Sequence, residues 1–188
     1  MSNNITIDSA IIAGLHQGDV IAYPTEAVFG LGCDPDNREA VYQLLAIKQR
    51  PVNKGLILIA ANYQQLAPYI DETALSAQQK TTVLASWPSA TTWVFPAATD
   101  TPKWLTGDFD SIAVRVSAHP VVHQLCQQFA KPLVSTSANL SQQPAISDFD
   151  ELQQQLGEKV AHIVPGSPNP DLQPSKIIDA LSGIIYRS

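Results

Sequence analysis

The chain has little of what most covalent and metal-dependent chemistry relies on. Its 188 residues include two cysteines, four histidines and one methionine. Cys33 and Cys126 stand far apart in apolar surroundings. They fit neither a metal spacing nor a secreted disulfide framework, and they read as reduced core thiols. His16, His119, His123 and His162 are scattered, so no metal site is expected from them. No G-x-x-x-x-G-K-[ST] occurs, which excludes ATP use through a Walker loop. Gly30-x-Gly32 follows a strand-like run but lacks the third glycine and downstream acid of a dinucleotide fingerprint. No segment reaches the roughly 18 apolar residues a membrane span needs. Met1-Ser2-Asn3-Asn4 has neither a basic n-region nor an apolar h-region. The expectation is a cytoplasmic protein, and no convincing covalent nucleophile is in view.

The most informative absence is local. Seventeen acidic residues against eleven basic ones give a net charge of -6, yet no Asp or Glu lies between Ala40 and Ile70. Inside that acid-free stretch, Lys48, Arg50 and Lys54 fall within seven positions. A positive field inside an acidic protein commonly marks where an anion docks. Lys48 offers a point charge and Arg50 a bidentate fork, two positions apart. A solvated turn accounts for the charge alone equally well. The neighbours add weight: an apolar-periodic segment (Val41, Leu44, Leu45) precedes the cluster and the apolar run Leu56 to Ala60 follows it, so the cations are anchored between two core elements.

Apolar content of 45% and charged content of 15% suit one globular domain over residues 1–188. Ser9 to Gln17 reads as a helix closed by Gly18. Val20 to Tyr23 reads as a strand ending at Pro24. Asp36-x-x-Glu39 resembles a capping box opening the helix of Val41 and Leu44, which Pro51 terminates. Leu56 to Ala60 is expected as a buried strand, Ser76 to Ser86 as a helix, and Thr92 to Phe95 and Ile112 to Val116 as strands. A helix from His119 to Phe129 has Pro120 in its first turn. Leu133 to Ser135 and Ala161 to Val164 read as strands, Asp148 to Leu156 as a helix, and Ile177-Ile178 with Ile184 to Tyr186 as a hairpin about Ser182-Gly183. Pro165 to Pro174 reads as a loop. Helices and strands interleave without a strict βαβ rhythm, which predicts an α/β or α+β domain with one twisted mixed sheet.

Three segments carry chemistry. Ser135-Thr136-Ser137-Ala138-Asn139 follows the apolar Leu133-Val134, and hydroxyls and amides at a strand's end donate to phosphate, carboxylate or ribose oxygens; a turn cap is the plainer alternative. Tyr23-Pro24-Thr25-Glu26-Ala27-Val28-Phe29-Gly30-Leu31-Gly32 is the second segment and Lys48-Gln49-Arg50-Pro51 the third. Together they resemble the P-T-E-[TA]-x-[YF]-G-[LV]-G, K-x-R-P and S-x-N patterns of the YrdC-type threonylcarbamoyl-AMP synthases, in the short single-domain bacterial form. Ala113-Val114-Arg115-Val116 and Pro174-Ser175 match as well, and the resemblance covers nearly the whole chain.

The resemblance implies an open α/β fold with a large concave cavity on one face of the sheet. It also implies a reaction. Bicarbonate or CO2 carboxylates the amine of L-threonine, the carbamate attacks the α-phosphorus of ATP, and pyrophosphate leaves threonylcarbamoyl-AMP. Other threonylcarbamoylation proteins would pass the group to adenosine 37 of tRNA, with weak tRNA binding here. Mg2+ would come with the nucleotide and no metal would be held by the protein. By the resemblance, Lys48 and Arg50 are catalytic and bind ATP with Ser111, Ser137 and Asn139. Thr25, Arg115, Ser135 and Ser175 hold L-threonine. Glu26 could bind Mg2+, orient its loop, or be structural. Arg115 interrupts apolar alternation and finds no evident partner nearby. Trp87, Trp93 and Trp104 read as core or cavity wall. Ser89 and Gln142 replace glycines usual in the family, and Lys54-Gly55 stands where Asn-Pro is common. Two rival readings are a tRNA or double-stranded RNA binding module without catalysis and a carbamoyl-transfer domain.

Overall fold

The alternation of apolar runs with polar caps resolves into helices on both faces of one sheet. The computed structural model describes residues 6–188, and Met1-Ser2-Asn3-Asn4 lies outside it. The helices are α1 (Ser9–Gln17), α2 (Arg38–Lys48), α3 (Tyr63–Leu66), α4 (Ala77–Ala85), α5 (Lys103–Thr106), α6 (Pro120–Phe129) and α7 (Phe149–Leu156). The strands are β1 (Ile21–Pro24), β2 (Phe29–Gly32), β3 (Ile57–Ala60), β4 (Thr91–Pro96), β5 (Ser111–Val116), β6 (Leu133–Ser137), β7 (His162–Ile163), β8 (Lys176–Asp179) and β9 (Ile185–Arg187). They join in the order β7-β1-β2-β6-β3-β5-β4-β8-β9. The sheet is mixed: β3 runs parallel to β5 and antiparallel to β6, and β8 runs parallel to β4 before turning back into β9.

Period-two alternation divides the core between the two faces. On β3, Leu58 points to the larger apolar cluster and Ile59 to the smaller. On β6, Val134 and Leu133 divide in the same way. Leu15 of α1 and Val121, Leu125 and Phe129 of α6 cover Ile59 and Leu133. The other face is covered by α2 through Val41 and Leu44 and by α7 through Leu152 and Leu156. Burying such side chains stabilises by about 1.5–3 kcal/mol each.

Three local differences from the sequence reading have plain causes. Asn37, not Asp36, caps α2, its Oδ1 accepting from the Ala40 N–H at 3.1 Å. Asp36 is held elsewhere, by Lys131 at 2.9 Å and the Tyr69 hydroxyl at 2.8 Å. Helix α2 ends at Lys48, before Pro51, because Gln49 turns left-handed with φ of 52°. Finally, Phe29–Gly32 is itself a strand and β6 extends to Ser137, because the two pair across Gly30↔Ser137. The motif segments are thus partly sheet rather than loop.

Candidate active site

Helices α1 and α6 cover only part of their face of the sheet. Beyond them, the residues that continue the same alternation lie open. Ser135 on β6 stands beside Ile57 on β3, Ile57 beside Ala113 on β5, and Ala113 beside Val94 on β4. These four floor a cavity of about 670 Å3, a size suited to a small ligand. Its walls come from Thr25 to Gly30, from Arg50 and Lys54 to Ile57, from Leu105 to Ser111, and from Gln173 to Ser175. Among the described residues, Arg50, Lys54, Arg115 and Arg187 contribute four cations to the lining, and Glu26 the one carboxylate. An acidic protein has thus gathered positive charge in one concavity, which concentrates anions there.

At one end the S-x-N segment and the basic cluster are locked together. Lys48 is 4% exposed. Its ammonium donates to Ser137 O at 2.5 Å, Asn139 O at 2.9 Å and Asn139 Oδ1 at 2.8 Å, using all three donors. Burial, with the nearby Arg50 charge, lowers its pKa to about 8. The Ser137 hydroxyl donates to Asn139 Oδ1 at 2.6 Å. Lys48 and Asn139 therefore stand behind the cavity wall, while Ser137, Arg50 and Ser111 line it. Arg50 Nη2 donates to Gly55 O at 2.9 Å, and its buried Nε has no partner. Gly55 takes φ of 61° and ψ of 170°, a region essentially reserved for glycine. A Cβ there would lie 2.9 Å from Thr106 O.

At the other end, Thr25 is nearly buried and its hydroxyl donates to Val28 O at 2.7 Å, leaving its lone pairs to accept. Arg115, without an evident partner in sequence, has one in space: its Nη2 lies 3.5 Å from Glu26 Oε2, with side chains only 9% and 10% exposed. The buried Arg115 Nε has no hydrogen-bond partner among the described residues. The other Glu26 oxygen accepts from the Ser117 hydroxyl at 2.7 Å, and Ser117 Oγ in turn accepts from the His119 N–H at 3.0 Å. Burial holds the His119 imidazole below its usual pKa, against the raising effect of Glu26. Ser175 Oγ sits 3.0 Å from Thr92 Oγ1 and accepts from Arg187 Nη2 at 3.0 Å. Arg187 Nε also donates to Ser175 O at 2.9 Å.

Two sets of comparisons bear on this arrangement. The Sua5/YciO/YrdC family model, described as "Telomere recombination", matches residues 13–188. The chain belongs to the Sua5/YciO/YrdC family. A Vibrio cholerae relative called threonylcarbamoyl-AMP synthase is 61% identical over 176 residues, covering 94% of each chain. An Escherichia coli protein of the same name is 56% identical over 189 residues, covering all of this chain and 99% of the relative. Among solved structures, P. abyssi Sua5 complexed with L-threonine is 28% identical with a TM-score of 0.83. That likeness covers 90% of this chain and 49% of the longer Sua5 chain. E. coli YciO, 23% identical with a TM-score of 0.79 over 95% of this chain and 87% of its own, shares the fold.

In this Sua5/YciO/YrdC chain the cavity gathers seven of the residues that the motifs singled out: Thr25, Arg50, Ser111, Arg115, Ser135, Ser137 and Ser175. Sequence reading missed Arg187, which lies beyond the matched motifs and reaches the site only because β9 folds back on β8. It also missed the Glu26–Arg115 pair, since 89 positions separate the partners. The three tryptophans are not on the cavity wall: Trp93 is core, and Trp87 and Trp104 pack against it. Gln142 occupies a left-handed conformation with φ of 70°, which accounts physically for a glycine being usual there.

Proposed function

We propose that this chain makes threonylcarbamoyl-AMP from L-threonine, bicarbonate or CO2, and ATP, releasing pyrophosphate. The observation that carries the reading is the two-ended cavity, with phosphate-suited cations and hydroxyls at one end and a buried, donor-rich arginine with hydroxyls at the other. The relatives called threonylcarbamoyl-AMP synthase, matched over nearly their whole length, support the same activity. At the first end Arg50, Ser111 and Ser137 bind the phosphates, and Lys48 and Asn139 brace Ser137 from behind. At the second, Arg115 takes the amino-acid carboxylate, while Thr25, Ser135 and Ser175 surround the side-chain hydroxyl and the amine. Arg187 closes the site from β9.

The amine of threonine adds to CO2 and loses its proton to give a carbamate. A carbamate oxygen then forms a bond to the α-phosphorus of ATP as the bond to the β-phosphoryl oxygen breaks, and pyrophosphate carries away the electron pair. This chemistry needs two anions held together and their charge offset, so positioning and preorganised donors suffice. Mg2+ would arrive on the phosphates. Among the described residues the cavity lining offers it one carboxylate, Glu26, which accepts from Ser117 and stands beside the Arg115 charge, so no step here runs through a protein-held metal. The product would be consumed by proteins that transfer the threonylcarbamoyl group to tRNA. A module that only bound RNA would have no use for a buried Arg115 or for the Ser175–Thr92–Arg187 cluster. The test is to incubate protein with ATP, L-threonine and bicarbonate and seek the adenylate by mass spectrometry. Its formation only when all three are present supports the proposal, and its absence under all conditions contradicts it.

A further inference from the structure

Among the charged residues that line the cavity, Glu26 stands out by its sign. Among the described residues, Glu26 is the only carboxylate on a cavity wall that also carries Arg50, Lys54, Arg115 and Arg187. It is deeply placed, and every contact it makes ties it to another part of the site. One oxygen accepts from Ser117, the residue that also anchors the entry to α6 through His119. The other stands 3.5 Å from Arg115 Nη2 without a hydrogen bond. Its backbone carbonyl accepts from the Asn169 N–H at 2.9 Å, securing the loop that leads to Gln173, Pro174 and Ser175.

Arg115 needs such a neighbour. A guanidinium only 9% exposed has lost most of its water, and burying an unpaired charge is costly. An anion beside it offsets that cost. Full bidentate pairing would do more, but it would also use up the donors that a ligand needs. The observed geometry lies between these extremes: the charges stand 3.5 Å apart with no hydrogen bond between them, and the buried Arg115 Nε has no partner among the described residues. Arg115, Arg187 and Glu26 together leave one net positive charge, which a single carboxylate would neutralise.

We infer that Glu26 is a positioning residue for the amino-acid end of the site: it fixes the Arg115 guanidinium in the orientation that receives the substrate carboxylate, without spending the donors that do so. The inference rests on the reading of the site proposed above. Glu26 acts through Arg115, so its removal should matter only to substrates that carry a charged carboxylate. It should leave the ATP end, built on Arg50, Ser111 and Ser137, undisturbed.

The experiment compares wild type, Glu26→Gln and Glu26→Asp by pyrophosphate release, with ATP affinity measured separately by calorimetry. Glu26→Gln retains an oxygen for Ser117 but removes the charge beside Arg115. The expected result is a fall in kcat/KM for L-threonine of about tenfold, ATP Kd within about twofold of wild type, and partial recovery in Glu26→Asp. With L-threonine methyl ester, whose carboxyl is uncharged, wild type and Glu26→Gln should react alike within about twofold. A merely structural role for Glu26 would depress both substrates and ATP binding together, and that outcome overturns the inference. So does an L-threonine kcat/KM unchanged by Glu26→Gln. Failure of the wild-type protein to release pyrophosphate with L-threonine would instead count against the proposed reaction, so the two failures are distinguishable.

Discussion

At the scale of single residues, the site is defined by how each cation spends its donors. Lys48 has none left, because Ser137 and Asn139 take all three. Arg50, which lines the cavity, gives Nη2 to Gly55 O, and its buried Nε has no partner among the described residues. The two therefore fail differently when changed. Arg50→Ala removes a charge-assisted contact to phosphate and should weaken ATP binding by about 1.5–3 kcal/mol. Calorimetry checks this, and an unchanged ATP Kd would remove Arg50 from the phosphate site. The effect of Lys48 should appear in pH dependence. Its pKa is lowered to about 8, below that of a solvent-exposed lysine, so the folded protein gives up this proton at a lower pH than an ordinary lysine does. A neutral amine has two donors for three acceptors, and the Ser137–Asn139 turn loosens. Activity should fall on an alkaline limb near pH 8, and Lys48→Arg, charged at all such pH values, should lose that limb. A profile identical in the two proteins would contradict the bracing role.

At the scale of elements, the cavity depends on short connections with little conformational latitude. The segment from the 3-10 turn Val52–Lys54 into β3 carries Gly55, whose carbonyl receives Arg50 and whose φ and ψ exclude other residues. Gly55→Ala should cost about 1–3 kcal/mol of stability through backbone strain. At roughly 2–4 °C per kcal/mol for a chain of this size, thermal unfolding would read that directly. ATP affinity should fall with it, because the Arg50 acceptor shifts. Elements with strong local signals were legible in the sequence: Gly18 closes α1, α4 lies within the stretch Ser76 to Ser86, and Pro120 opens α6. The N-cap of α2 was misplaced by one residue because Asp36 obeys a tertiary demand, its pairing with Lys131 and Tyr69. Strand β2 was not seen, since Phe29-Gly30-Leu31-Gly32 has weak strand propensity and becomes a strand only by pairing with β1 and β6.

At the scale of the whole molecule, charge and topology converge on one concavity. The net charge is -6, yet four of the eleven basic residues line the cavity beside a single acid. The acid-free stretch from Ala40 to Ile70 exposed half of this pattern in the sequence. Of the other half, Arg115 on the interior strand β5 showed itself by interrupting an apolar alternation, whereas Arg187 is brought in by the edge strand β9, and long-range pairing of that kind leaves no local trace. We propose that the protein acts as one unit over residues 1–188, with both ends of the cavity supplied by the same sheet. An acidic surface with a small basic interior suits a mononucleotide better than a length of RNA. Any tRNA binding should be weak, should decline steeply with added salt because counterion release drives it, and should be displaced by ATP. Tight, salt-resistant tRNA binding unaffected by ATP would favour an RNA-binding module. The measurement that tests the central claim most directly is pyrophosphate release from ATP and bicarbonate with L-threonine or 2-aminobutyrate, each with and without tRNA. A polar site that pairs the substrate hydroxyl should reject the analogue lacking it. The account predicts brisk release with threonine, little with 2-aminobutyrate, and no requirement for tRNA. Release that depends strictly on tRNA, or that does not depend on the amino acid, would contradict it.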